Sequence, residues 1–176
     1  MGYVKDLLLS VLRIVFLRGS PERIYYTRRL FIVALLLAVL ASAAAQFLYH
    51  GDHVVFVILR VFAELTLFMM MMVLLTAKIG RFRLARMMLA LVLISLLADT
   101  VLVLLSALPL PEMEQLHDVL AYAVAAAALY GGASAMSWGL SRPLWTAVAY
   151  MAGYVVAVLA LNGAFRHLYG MYAGAA

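Results

Sequence analysis

The chain has 176 residues, of which 68 % are hydrophobic and 12 % are charged. Soluble domains contain about 45–50 % apolar and about 25 % charged residues, so this composition excludes a disordered chain and indicates a membrane protein. No cysteine is present, which excludes disulfides, zinc–thiolate sites and thiol-redox chemistry. The net charge of +5 does not indicate nucleic-acid binding, because the basic residues lie beside hydrophobic segments and report membrane orientation.

Residues 1–28 are predicted to form an amphipathic helix followed by a turn. Asp6, Ser10 and Arg13 recur at spacings of four and three, which places them on one helical face. The predicted apolar face comprises Leu7, Leu8, Val11, Leu12, Val15 and Phe16. We expect this helix to lie in the membrane interface; the alternative is a short re-entrant or packed helix. The segment is interpreted as retained, because Arg18-Gly19-Ser20-Pro21 offers no signal-peptide cleavage site.

Residues 29–176 are predicted to form an all-α polytopic bundle of five transmembrane helices. Each hydrophobic stretch reaches the length of about 20 residues that a span requires. The predicted spans cover residues 29–49, 54–76, 85–108, 119–140 and 144–165. Turn-forming or basic segments separate them, including Leu108-Pro109-Leu110-Pro111, where proline cannot continue a helix. No extramembrane domain fits beside these spans.

The distribution of basic residues predicts the orientation of the bundle. When successive spans alternate in direction, every lysine and arginine except Arg60 and Arg166 falls on one side of the membrane. The positive-inside rule therefore predicts a cytoplasmic N-terminus and a C-terminus outside. The expected location is a bacterial inner membrane.

Polar residues inside the spans form the predicted functional cluster, which comprises Gln46, Arg60, Glu64, Asp99 and Asn162. Ionisable side chains within a membrane usually face the protein interior or a water-filled cavity. Arg60 and Glu64 lie four residues apart and share a helical face. Arg60 and Asp99 lie at similar depths on consecutive helices, which predicts contact between them. A buried ion pair that fixes packing, a solute or proton pathway, and a partner-recognition site all stay open as interpretations.

The outer side of the predicted bundle carries the candidate metal ligands His50, Asp52, His53 and His117. Zinc and copper both accept imidazole nitrogen. The alternative is a set of interfacial histidines without a ligand role. We expect no cofactor, with a bound lipid or a metal ion as the alternatives.

Small residues mark the fourth and fifth spans. In the fifth span they form the stripe Gly153, Ala157, Ala160 and Ala164, and in the fourth they occupy much of residues 121–132. The first interpretation is close packing within the chain, and the second is oligomerisation. Tyrosines on the same spans are expected to bond between helices or to line a polar cleft; they are Tyr122, Tyr130, Tyr150 and Tyr154.

The amphipathic segment Val4 to Leu17, the turn Arg18-Gly19-Ser20-Pro21 and the five close-set spans from Arg29 to Phe165 resemble the Yip family of small five-span membrane proteins. The longer N-terminal region and the Asp-Leu-Tyr and Tyr-Gly-Tyr motifs of eukaryotic members are absent, so no functional residue carries over. The resemblance implies a non-enzymatic protein that organises membranes or binds partners.

The leading hypothesis is a non-enzymatic accessory, scaffold or assembly subunit, because the chain contains no catalytic triad order, phosphate loop or His-Glu-x-x-His motif. Its expected partners are the lipid bilayer and other membrane proteins or further copies of itself, and not nucleic acid. One alternative is a small transporter or channel with a polar cavity in the outer half of the membrane. Another is a metal- or lipid-handling membrane protein.

Overall fold

The structure is a computed structural model that describes residues 2–17, 21–50, 54–76, 79–107 and 114–173. These residues form six α-helices, one 3-10 turn (Pro21–Arg23) and no strand. The helices are α1 (Gly2–Leu17), α2 (Arg28–His50), α3 (Val54–Thr76), α4 (Arg81–Ser106), α5 (Glu114–Leu140) and α6 (Leu144–Ala173). Helices α2 to α6 are long and apolar enough to span a membrane. The predicted all-α class and the five candidate spans are therefore confirmed.

The helix boundaries agree with the predicted spans at α3 and extend beyond them at α6. Helix α6 continues to Ala173, whereas the prediction ended at Phe165. Its 30 residues correspond to about 45 Å at 1.5 Å per residue, which exceeds the roughly 30 Å of a bilayer hydrocarbon core. Arg166 and His167 therefore lie within the helix rather than at its end.

The five spanning helices form a closed ring in the order α2, α4, α5, α6 and α3. Helices α3 and α4 are consecutive in the chain but share few contacts, because α4 packs chiefly against α2 and α5. Short connections make successive helices run in opposite directions, so a ring of five must contain one parallel pair. That pair is α2 and α4, which also has the most extensive interface.

The buried apolar core is concentrated on α4, where Met87 and the run Leu89 to Ile94 are buried. Glycines of α5 allow the neighbouring helices to approach closely. A Cβ atom at Gly139 would lie 3.1 Å from the Cβ of Met87, and one at Gly132 would lie 2.8 Å from the Cε of Met151. The predicted use of small residues for packing within the chain is therefore confirmed for Gly131 and Gly132 of α5, whereas Ala123 and Ala126 of the same stretch are exposed.

Helix α1 packs against the outside of the ring, mainly on α5. Its Val11, Ile14 and Val15 are buried. A Cβ atom at Gly131 would lie 3.2 Å from the Cα of Val15, so the absence of a side chain at this glycine permits the contact.

The residues of the predicted apolar face of α1 fall in two environments. Val11 and Val15 are buried against the ring, together with Ile14 from outside that face, whereas Leu8, Leu12 and Phe16 are exposed. Helix α1 therefore has a buried apolar side and an exposed apolar side. The exposed side suits contact with lipid.

Glu22, in the turn that follows α1, accepts hydrogen bonds from residues near the start of α4 and near the end of α5. The indole Nε1 of Trp138 donates a hydrogen bond to Oε1 of Glu22 at 3.2 Å, and Nη1 of Arg86 donates to the Glu22 backbone oxygen at 3.3 Å. The guanidinium of Arg83 lies over the Trp138 ring, 5.3 Å from its centroid. These contacts hold α1 at the end of the ring where α4 begins.

Candidate functional site

The ring of helices surrounds a cavity of about 460 Å³. Pockets for small molecules typically have volumes of roughly 300–1,000 Å³. All five spanning helices contribute residues to the lining, and most of these residues are apolar. The polar lining side chains are Ser42, Glu64, Ser95, Asp99 and Tyr154. The cavity therefore combines an apolar wall with two carboxyl groups.

Glu64 is the centre of a polar network between three helices. Its Oε1 lies 3.4 Å from Nε of Arg60, one turn earlier on α3. Its Oε2 accepts a hydrogen bond of 3.1 Å from Nε2 of Gln46 on α2, and the side chain of Asn162 on α6 interacts with the same carboxylate. Four of the five residues of the predicted polar cluster are therefore brought together.

Two acceptor atoms in this network are buried and have no hydrogen-bond partner among the described residues. They are Oε1 of Gln46 and Oδ1 of Asn162, the second atoms of the two amides that meet Glu64. Gln46 itself is 9 % exposed and Arg60 is 7 % exposed. Buried acceptors normally receive hydrogen bonds. These two oxygens therefore indicate that the described residues around Glu64 provide too few hydrogen-bond donors.

Asp99 lines the same cavity but does not join the Arg60 network. It accepts a hydrogen bond of 3.3 Å from Oγ of Ser95, one turn earlier on α4. Across the cavity it interacts electrostatically with Glu64, a group of the same charge sign. Among the described residues, no basic side chain forms an ion pair with Asp99.

The predicted contact between Arg60 and Asp99 is therefore wrong. The prediction assumed that consecutive helices with a short connection are neighbours. In the ring, α3 lies between α2 and α6 instead of beside α4. Arg60 consequently pairs with Glu64 on its own helix.

An aromatic pair forms part of the cavity wall. The rings of Phe68 on α3 and Tyr154 on α6 meet edge to face, with their centroids 6.4 Å apart. Both side chains line the cavity that Glu64 and Asp99 also line. Of the four tyrosines singled out in the sequence, Tyr154 is the one that lines this cavity. Tyr122 and Tyr150 are exposed.

Phe68 and Ser95 line the cavity although neither was predicted as a site residue. An aromatic residue in an apolar span carries no signal of its own, because lipid-facing and cavity-facing positions look alike in the sequence. Ser95 had a detectable signal, since it lies four residues before Asp99 and so shares its helical face.

The predicted metal ligands are not among the side chains that the structure describes. Asp52 and His53 lie outside the described residues, as do the side chains of His50 and His117. Among the side chains that the structure describes, no group of three or more histidine, aspartate or glutamate residues is placed to hold a metal ion.

The small-residue stripe of α6 faces away from the ring, in contrast to the glycines of α5. A Cβ atom at Gly153 would meet no other atom within 4 Å. Ala160 and Ala164 are exposed and Ala157 is half-buried. The prediction that this stripe packs within the chain is therefore wrong, and its small residues form an outward surface.

No family model, no curated protein and no solved structure matches this chain.

Proposed function

We propose that this protein is an integral membrane protein of the small transporter or channel class that binds a small solute in the central cavity. The observation that carries the proposal is a cavity of about 460 Å³ lined by all five spanning helices and by Glu64 and Asp99. Binding sites of membrane transporters typically lie near the bilayer midplane between helices. Ionisable groups within membrane-spanning helices, such as Glu64 and Asp99, commonly mark a solute or ion pathway.

Filling the cavity tests this proposal directly. Ala128 lines the cavity on α5, whereas Ala126 is exposed on the same helix, so phenylalanine at these positions gives a cavity-filling variant and a matched control. Wild type and both variants are placed in phosphatidylcholine nanodiscs, and their melting temperatures are measured with a panel of small cationic, neutral and anionic solutes. We expect at least one solute class to stabilise wild type and Ala126→Phe but not Ala128→Phe.

Two outcomes contradict solute binding in the cavity. One is that no solute class stabilises wild type. The other is that Ala128→Phe responds as strongly as wild type. For a solute that does bind, flux into liposomes containing the protein then separates a transporter or channel from a protein that only binds it.

The second candidate function is the accessory, scaffold or assembly role, which the Yip-like architecture implies. It is favoured by the outward small-residue surface of α6, because small residues allow the close approach of a helix from another membrane protein or a second copy. Native mass spectrometry in mild detergent tests it. This role is supported if wild type forms a complex heavier than the 19.3 kDa chain and the Gly153→Leu variant does not. It is contradicted if both wild type and the variant are monomers.

We further propose a bacterial inner-membrane location with the N-terminus in the cytoplasm, in line with the positive-inside rule. Alkaline phosphatase fused after Gly170 is expected to be active, and the same enzyme fused at Gly80 is expected to be inactive. The reverse pattern would overturn the orientation.

A further inference from the structure

The charge balance of the central cavity is uneven. Glu64 is compensated by the Arg60 guanidinium at 3.4 Å and by the amide of Gln46 at 3.1 Å. From the described residues Asp99 receives one hydrogen bond, donated by the neutral hydroxyl of Ser95. None of the described residues that line the cavity is basic. A solute that enters it therefore meets one compensated and one uncompensated carboxyl group.

A charged group inside a membrane-spanning helix strongly favours an opposite charge beside it, because the surrounding hydrocarbon cannot solvate it. Asp99 lies seven positions before Ser106, where α4 ends, which corresponds to roughly 10 Å along the helix axis. A cationic solute supplies the positive charge that no described side chain supplies at Asp99. An anionic solute would meet two carboxyl groups and is disfavoured.

The remaining lining matches an organic cation better than a bare metal ion. The edge-to-face pair of Phe68 and Tyr154 places aromatic rings in the wall, and aromatic faces attract ammonium groups through their quadrupole. The rest of the wall is mostly leucine, valine, alanine and methionine. Such a surface stabilises an apolar body and offers few oxygen ligands to a hard metal ion.

We propose that the solute is a small organic ammonium compound, with its charged head at Asp99 beside Phe68 and Tyr154 and its apolar body against the aliphatic wall. This inference rests on the proposed function, since it names the class of solute that the cavity receives. It assigns the main recognition of charge to Asp99 and a lesser part to Glu64.

The test compares three probes of similar size that differ in charge: 2-phenylethylammonium, the neutral 2-phenylethanol and the anionic 3-phenylpropanoate. Binding is measured by equilibrium dialysis with tritiated probes and wild-type protein in phosphatidylcholine nanodiscs. Protein-free nanodiscs correct for partition into lipid. We expect the ammonium probe to bind roughly tenfold or more tightly than the alcohol, because it adds a charge-assisted hydrogen bond, and the anion to bind least.

Substitutions then assign the charge preference to a residue. Asp99→Asn is expected to lower the affinity for the ammonium probe to about that for the alcohol, and Glu64→Gln to lower it less. Asp118→Asn is the matched control, because Asp118 is exposed on α5, and it is expected to bind like wild type. Should Asp99→Asn fail to fold, the comparison of the three probes on wild type still decides the charge preference.

Equal affinity for the ammonium and alcohol probes, or tighter binding of the anion, would overturn the organic-cation assignment. Neutral or anionic solutes that bind in the cavity would leave the proposed function intact. The proposed function itself would be overturned if no solute class raised the melting temperature of wild type in the cavity-filling experiment. An unchanged ammonium affinity in Asp99→Asn would overturn the placement of the charged head.

Discussion

Helices α4 and α6 are both apolar enough to span a membrane, yet they occupy opposite environments. In the most apolar stretch of α4, 33 % of the residues are buried inside the protein, and in that of α6 only 6 % are. Helix α4 packs through a continuous run of buried aliphatic side chains. Helix α6 contributes Ala147, which is fully buried, the partly buried Leu144 and Met151, and several aromatic and polar contacts.

Helix α6 also contacts its neighbours through aromatic and polar side chains. Tyr154 packs on Phe68, and Tyr169 packs on Phe56 with ring centroids 4.9 Å apart. Asn162 adds its interaction with Glu64. In lipid, apolar burial gives little driving force for helix association, so helices are held by tight packing or by specific polar contacts. Helix α4 represents the first mode, and α6 combines more limited packing with the second.

The largest expected effect concerns the polar network that links α6 to α2 and α3. Arg60→Ala leaves the Glu64 carboxylate buried without its cation, and stranding one partner of a buried pair costs about 3–5 kcal/mol. We expect this loss in the free energy of unfolding, measured by titration with a denaturing detergent. The double variant Arg60→Ala/Glu64→Ala should lose less than the sum of the two single variants.

Two controls sharpen this prediction. Arg29→Ala removes an exposed arginine and is expected to change the free energy of unfolding by no more than about 0.5 kcal/mol. The coupling energy from a double-mutant cycle of Arg60→Ala and Asp99→Ala should be smaller than that of Arg60→Ala and Glu64→Ala. The reason is that the structure places no ion pair between Arg60 and Asp99. Stronger coupling of Arg60 to Asp99 would contradict the ring order.

An intermediate effect is expected where α4 and α5 meet. Gly139→Ala forces a methyl group against Met87, which is fully buried and has a Cβ only 3.1 Å away. Overpacking of this kind costs about 1–3 kcal/mol. The matched variant Gly153→Ala on α6 meets no atom within 4 Å and should be neutral or stabilising by up to about 1 kcal/mol through helix propensity. Equal losses at the two glycines would remove the distinction between α4 and α6.

The smallest effect is expected at Asn162 on α6. Asn162→Ala removes one polar interaction between helices, and such interactions in membranes average about 0.6 kcal/mol. The same unfolding titration measures it, with Leu159→Ala as the control because Leu159 is 64 % exposed on the same helix. A loss at Leu159 that matches the loss at Asn162 would contradict a specific role for this amide.

Much of the polar site could be anticipated from residue type alone. Gln46, Arg60, Glu64 and Asn162 stand out because polar groups are costly in hydrocarbon and seek one another there. Asp99 stood out for the same reason, and it does line the cavity. Its partner was predicted wrongly, because spacing along the chain does not say which helices are neighbours around a ring.

The small-residue patterns show the same limit. Gly131, Gly132 and Gly139 on α5 pack against other parts of the chain, whereas the similar stripe of α6 faces outward. Both patterns permit close approach of another backbone. Neither specifies whether that backbone belongs to the same chain.

The sequence by itself determined the all-α class, the five apolar segments and the residues too polar for lipid, because hydropathy and length act on each helix independently. Only the tertiary structure decided the ring order, the parallel pairing of α2 with α4, and the cavity that Glu64, Asp99, Phe68 and Tyr154 share. The physical reason is that the sequence of a uniformly apolar helix does not indicate which of its faces points into the protein. In a membrane, that face is chosen by shape complementarity and by a few polar contacts between helices.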